Sequence, residues 1–232
     1  MTTRMVGTVI MAHGDDDGVI LPPRIAPTQI VILPITPKEE TQGQVLEACD
    51  KLASELRAKK YADFGIEVEI DRRQFGGGVR NWEWIKKGVP VRLELGPRDL
   101  EKNSVAVSRR DQAVKEKQLM STAEFVSRAP EILASIQQNI YQRALKFRDA
   151  NTRTIKSKEE FYDFFTPKDS AKSEIHGGFA LAHWNGAHEV EEKIKSDLKV
   201  TIRCIPFSDP EPGRCIFTGQ ASQRRVIWAK AY

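Results

Sequence analysis

The chain has 232 residues, 40% of them hydrophobic, enough for two modules with separate cores at the usual ~100 to 150 residues per domain. A net charge of +4 suits a polyanionic partner without demanding one. Three cysteines, Cys49, Cys204 and Cys215, form no C-x-x-C pair, which excludes a complete disulfide framework and fits a reducing compartment. No apolar run approaches the ~18 residues of a spanning helix and no signal-peptide pattern opens the chain, so the sequence predicts a soluble, cytoplasmic protein.

Residues 5–12, MVGTVIMA, are apolar and stop at HGDDDG. Three consecutive aspartates invite a metal, but Arg24 stands where a calcium loop needs its closing glutamate, and a solvated turn is predicted. TQIVILPI reads as a short buried strand. TPKEE after it resembles a capping box, with Thr36 as N-cap, Pro37 in the first helical position and Glu39 reaching back. The helix that follows has an apolar stripe at Val45, Cys49, Leu52 and Leu56. IEVEI alternates as a second strand. Gly76 to Gly78 lead into a short helix, VRNWEWIKK, without the Gly-Lys-Ser/Thr of a phosphate-binding P-loop.

Val91, Leu93 and Leu95 then point to one side of a third strand, leaving Arg92 and Glu94 on a side that reads as polar; SVAVSRRD supplies a fourth. Strand, helix, strand, helix, strand, strand over residues 27–111 predicts a mixed α/β sheet with helices packed against it and a parallel crossover between the first two strands. Pro130 is expected to interrupt the next segment, after which Ile132, Leu133, Ile136, Ile140, Ala144 and Phe147 line a long helix to about Asn151. Its basic side (Arg143, Lys146, Arg148, then Arg153, Lys156 and Lys158) reads either as a solvated face or as contact with an RNA backbone. KEEFYDFF, GGFALAHW, a helix EVEEKIKSDL, and strands VTIRCIPF and RVIWAKAY predict a smaller α+β unit over 151–232.

The densest chemistry is GPRD, residues 96–99, at the end of the third strand. An unpaired guanine offers two acceptors and two kinds of donor, so reading it takes a cation fork and a carboxylate. Arg98 and Asp99, with Arg92 nearby, supply both; the alternative is a turn closed by a local ion pair. Trp82 and Trp84 read as core or as stacking platforms for a base.

HGDDDGVILPPRIAPTQIVILPI, KKGVPVRLELGPRDLEKNSVAVSRRD, TIRCIPF and RVIWAKAY together resemble the C-terminal half of a proline-tRNA ligase of the archaeal and eukaryote-like type, a class II aminoacyl-tRNA synthetase. The resemblance implies a catalytic-domain remnant at 1–26, and an anticodon-binding domain with a mixed five-stranded sheet flanked by helices at 27–118. It implies a connecting helix at 119–150 and a C-terminal α+β domain at 151–232. The residues that read the two guanines of every proline anticodon match Arg92, Arg98 and Asp99. A further family glutamate falls on Ile85, and Glu83 or Glu94 is expected to compensate.

Four zinc-binding cysteines of many relatives match Asn185, Val190, Cys215 and Thr218, so zinc is not expected, and a substitute set from His183, His188, Cys204 and Cys215 follows no familiar spacing. The last residue, Tyr232, is implied to pack toward the catalytic domain. TTRMVG is similar to the family's STRLIG, which makes Arg4 an ATP-binding arginine of motif 3. The full enzyme would use ATP, Mg, proline and the proline tRNA, as a homodimer. Catalytic residues are expected outside this chain, which alone would form no prolyl-adenylate; the other reading is a free-standing tRNA-binding or regulatory protein reusing the same domains.

Overall fold

The computed structural model describes residues 2–36, 38–167, 177–207 and 210–230, and the chain divides into two compact units, Met1–Ala144 and Leu145–Tyr232. The first opens with helix α1 (Arg4–His13), which buries none of its side chains. Then come β1 (Ile30–Pro34), α2 (Glu39–Arg57), a two-residue-per-strand hairpin of β2 (Lys60–Tyr61) and β3 (Phe64–Gly65), and β4 (Val68–Ile70). α3 (Gly77–Lys86), β5 (Val91–Leu95), α4 (Pro97–Glu101), β6 (Ser104–Arg109), β7 (Gln118–Ser121) and the long α5 (Thr122–Ala150) complete the set.

The sheet order is β4-β1-β5-β6-β7, with β4, β1 and β5 parallel and β5, β6 and β7 antiparallel. This is the mixed five-stranded sheet expected. Its parallel part must be covered on both faces, which is why β1 is buried at every position. Ile30 and Ile32 join Val91, Leu93 and Leu95 against Val45, Cys49, Leu52 and Leu56 of α2, the stripe read from the sequence. Burial pushes the Cys49 thiol up to about 12, so it is a packing group rather than a nucleophile. Val31 and Leu33 face the other way, onto Trp84 and Val89.

Two helix boundaries differ from expectation. α2 begins at Glu39 with Lys38, extended and without a side-chain cap, in the N-cap position; Thr36 is not the cap, and Pro37 lies outside the described residues. Glu39 and Glu40 in the first turn complement the helix dipole instead. Pro130 does not interrupt its segment: α5 runs through it. A proline inside a helix costs ~3 kcal/mol, and here Phe125, Val126 and Ala129 before it and Ile132, Leu133 and Ile136 after it are buried in one core, which offsets that cost.

The aspartate turn is solvated only in part. Asp15 makes a two-pronged contact with the buried Arg110, at 2.7 Å to Nη1 and 2.5 Å to Nη2, while Arg110 also donates to the carbonyls of Ile85 and Gly18. Five residues on, Ile20 is in the main core. Gly88 fixes the same segment. It lies at φ +75, and a Cβ there would sit 2.5 Å from the Val19 carbonyl oxygen, so the approach of residues 18–21 to the start of β5 requires glycine.

The second unit holds β8 (Thr152–Thr154), α6 (Lys158–Phe165), β9 (Phe179–His183), α7 (His188–Leu198), β10 (Val200–Cys204), β11 (Gly213–Arg214), β12 (Ala221–Ser222) and β13 (Arg225–Lys230). Its sheet order is β10-β13-β9-β8, a small α+β unit as expected. Ser157 caps α6 by accepting from the Glu160 N–H, and Phe161 packs edge-on to Phe217 and Trp228 at 5.0 and 5.5 Å. Among the described residues no helix is long and apolar enough to cross a membrane.

Candidate nucleic-acid interface

In an open sheet, ligands bind beyond the carboxyl ends of parallel strands, where successive crossovers leave on opposite sides. β1 is such a point, paired on one side with β4 and on the other with β5. The loops beyond β1, β4 and β5 carry Ile35 and Thr36, Asp71 to Phe75, and Gly96 to Asp99. A cleft of about 500 Å³ opens there, lined by Ile35, Thr36, Arg72, Arg73, Phe75 and Arg80.

Asp71 organises this rim. Burial opposes its ionisation, but hydrogen bonds from Arg73 and from Trp84 Nε1 (2.8 Å) overcome it and hold the carboxyl down at about 2. Arg73 also bonds Glu83 at 2.6 Å, so Glu83 is already paired. Arg80, buried, donates to the carbonyls of Asp71 and Pro34 and ties the ends of β4 and β1 to α3. The glycines before α3 serve this helix start, with Gly76 at the N-cap.

Of the guanine-reading candidates, Arg98 and Asp99 stand on α4. Arg98 is exposed and, among the described residues, has no hydrogen-bond or ion-pair partner. The two do not pair with each other; Asp99 reaches back to accept the Gly96 N–H at 2.9 Å, closing the first turn of its own helix. Gly96 is close-packed, since a Cβ on it would come within 3.2 Å of Ile35 Cβ.

Arg92 overturns the expectation of a polar, open strand side, being 1% exposed. α3 covers it. Asn81 Oδ1 accepts from its Nε at 2.8 Å, while both terminal nitrogens are buried without a partner. Burial, with the charge of Arg110 nearby, pulls its pKa down to about 10. Ile85, one turn from Asn81, is 1% exposed and presents no acceptor side chain there, and Glu94 is held by Lys117 at 2.7 Å. Both compensating carboxylates therefore have cations of their own. Asn81, Asp71 and Arg110 were missed by sequence reasoning; the four-residue step from Asn81 to Ile85 was the available signal for the first. The tryptophans divide: Trp84 is core, under Lys87 at 4.2 Å, and Trp82 is 40% exposed.

Arg4 stands at the exposed start of α1, where its carbonyl accepts from Thr8. The basic side of α5 is partly engaged, with Arg143 on the His13 carbonyl and Arg148 on Asp149. In the second unit the four positions matched to zinc ligands do not suit a metal. Asn185 donates to Gln220 at 2.7 Å and accepts from the Ala187 N–H, Val190 packs on the core, Thr218 accepts from the Gln220 N–H, and Cys215 is buried. His183 bonds Ser222, His188 is exposed beside Glu192, and Cys204 is exposed. Among the described residues no three His, Cys, Asp or Glu gather as a metal site. Tyr232 lies outside the described residues.

A family profile described as anticodon binding domain matches residues 29–132, the sheet and its rim; a second, described as prolyl-tRNA synthetase, C-terminal, matches 168–232. The class is thus that of the aminoacyl-tRNA synthetases, in their anticodon-binding part. Over the whole chain, identity is 50% to proline–tRNA ligase 2 of Anaeromyxobacter dehalogenans, 51% to proline–tRNA ligase of Protochlamydia amoebophila and 46% to that of Akkermansia muciniphila. The chain matches the C-terminal part of these ligases, spanning about half the length of these curated relatives, 46%, 46% and 45%.

Proposed function

We propose that this chain reads the anticodon of the proline tRNA for a protein that attaches proline to that tRNA. The observation that carries the reading is the exposed Arg98, without a partner among the described residues, beside Asp99 at the carboxyl end of β5, inside the stretch that matches the anticodon-binding family. Arg98 offers its fork to the O6 and N7 acceptors of a guanine, and the Asp99 oxygen not committed to Gly96 accepts from the N1 and N2 donors. Arg92 serves the second guanine through its two buried terminal nitrogens, which a base reaches only when α3 shifts off them, and Glu83 contributes from α3 once Arg73 releases it.

ATP, Mg and proline belong to the ligase reaction of the whole protein, with Arg4 on the ATP; the working unit is a cytoplasmic homodimer, and no zinc is required. The archaeal and eukaryote-like type is assigned on the resemblance of the sequence alone. The test is binding of this chain, at fixed salt, to proline tRNA and to versions with each of the last two anticodon bases changed. Each change is expected to weaken binding at least tenfold, and Arg98→Ala to remove that discrimination at one position. Equal affinity for every version overturns the reading.

A further inference from the structure

Beside Glu83, the side of α3 turned away from Asn81 carries residues that the reading of guanines does not use. Val79, Trp82 and Lys86 follow one another at three- and four-residue steps, and Phe75 stands just before the helix start at Gly76. Phe75, Val79 and Trp82 are 58%, 56% and 40% exposed. Single exposed apolar side chains are ordinary; three on and just ahead of one short helix, two of them aromatic, form a patch.

The charges say which occupant. Each aromatic ring has a cation over it, Arg73 at 5.7 Å from the centre of Phe75 and Lys86 Nζ at 5.8 Å from the centre of Trp82. An apolar protein helix or a second copy of this stripe would bury Lys86, which among the described residues has no carboxylate partner, against hydrocarbon at a cost of several kcal/mol. A nucleotide suits both halves: its base lies on the ring and its phosphate meets the cation. Glu83, already offered to a guanine, stands four residues from Val79 on this same side and bonds Arg73, so the stripe continues the same interface.

We infer that Trp82 and Phe75 are stacking platforms for unpaired nucleotides of the anticodon loop that flank the two guanines, with Lys86 and Arg73 on the adjoining phosphates. The inference rests on the anticodon reading above. Stacking is indifferent to base identity, so these residues supply affinity while Arg92, Arg98 and Asp99 supply selection. Two jobs are divided between two sides of one rim.

The test titrates the whole chain with the anticodon stem-loop of proline tRNA, at fixed salt, following tryptophan fluorescence. Trp82→Ala is expected to weaken binding about tenfold for the native loop and equally for loops with a guanine replaced, so that the ratio between them stays unchanged. Phe75→Ala is expected to weaken it about fivefold. Trp82→Phe keeps a stacking ring and stays within about twofold of the parent, but loses the quenching that base stacking imposes on an indole. Binding by Trp82→Ala within about twofold of the parent overturns the inference, as does quenching that persists in Trp82→Phe. A shift in oligomeric state on Trp82→Ala, with RNA affinity intact, assigns the stripe to a protein neighbour and overturns it likewise. If the parent holds loops with and without guanines equally, the anticodon reading falls while the Trp82 comparison still decides the stacking; a chain that holds no loop overturns both.

Discussion

Toward α2 and α5 the five-stranded sheet presents Ile30, Ile32, Val91, Leu93 and Leu95, each 2% exposed or less. Toward α3 it presents Val31 and Leu33 beside two arginines, Arg92 and Arg110, both 1% exposed. The same strands build both faces. One is an ordinary hydrocarbon core that stabilises the domain; the other keeps cations out of water, which costs free energy unless each finds partners. Arg110 has Asp15 and two carbonyls, whereas among the described residues Arg92 has Asn81 alone. On the proposed reading, the contrast assigns stability and recognition to opposite sides of one sheet.

Three measurements can break or sharpen that contrast. Leu93→Ala, on the hydrocarbon face, is expected to cost about 3 kcal/mol in hydrogen-exchange protection of β1 while leaving the ratio of native to guanine-substituted tRNA binding as it was. A loss of that ratio would merge the two faces. Next in size is acid sensitivity on the α3 face. The folded-state pKa of Asp71, about 2, lies below its ordinary 3.8, so the carboxylate contributes stability that is complete above about pH 4 and drains away as pH falls toward 2. Comparing the parent with Asp71→Asn between pH 5 and pH 2, the gap in stability should shrink by about 2 kcal/mol; a gap independent of pH would remove Asp71 from the account. Smallest is Arg92→Met, which replaces a buried, under-partnered cation by a flexible apolar chain. Stability should hold or rise by about 1 kcal/mol while guanine discrimination falls, and a marked loss of stability would make Arg92 a structural residue.

The sequence made the hydrocarbon face legible and hid the charged one. Val45, Cys49, Leu52 and Leu56 repeat at helical spacing, and the unbroken Ile30 to Leu33 run announces a strand covered on both sides. Arg92 and Glu94 alternate with Val91, Leu93 and Leu95 as though half the strand met water, because periodicity records only which residues share a side. It cannot report that α3, supplied by another crossover, lies over that side. The pairing of Asp15 with Arg110 spans 95 positions and leaves no local trace. Thr36 and Pro130 show the converse. Each carries a strong local signal for a cap or a break; on α5 the burial of the neighbouring apolar residues overrode it, and α2 starts three residues after Thr36 with no side-chain cap. Arg98 and Asp99 were legible through adjacency at a strand end, and Trp82 separated from Trp84 only when the packing of α3 was known.

The carboxamide link between Asn185 and Gln220 is an exposed contact made of two groups that neither titrate nor oxidise. It should pass unchanged through acid, peroxide and chelators, conditions that undo thiolate ligation. Its frailty is slow chemistry. Asn185 precedes Gly186, where no Cβ hinders the backbone from attacking the amide, and asparagine is among the residues least tolerant of prolonged heat. Ageing, more than any reagent, is what this corner of the molecule has to fear.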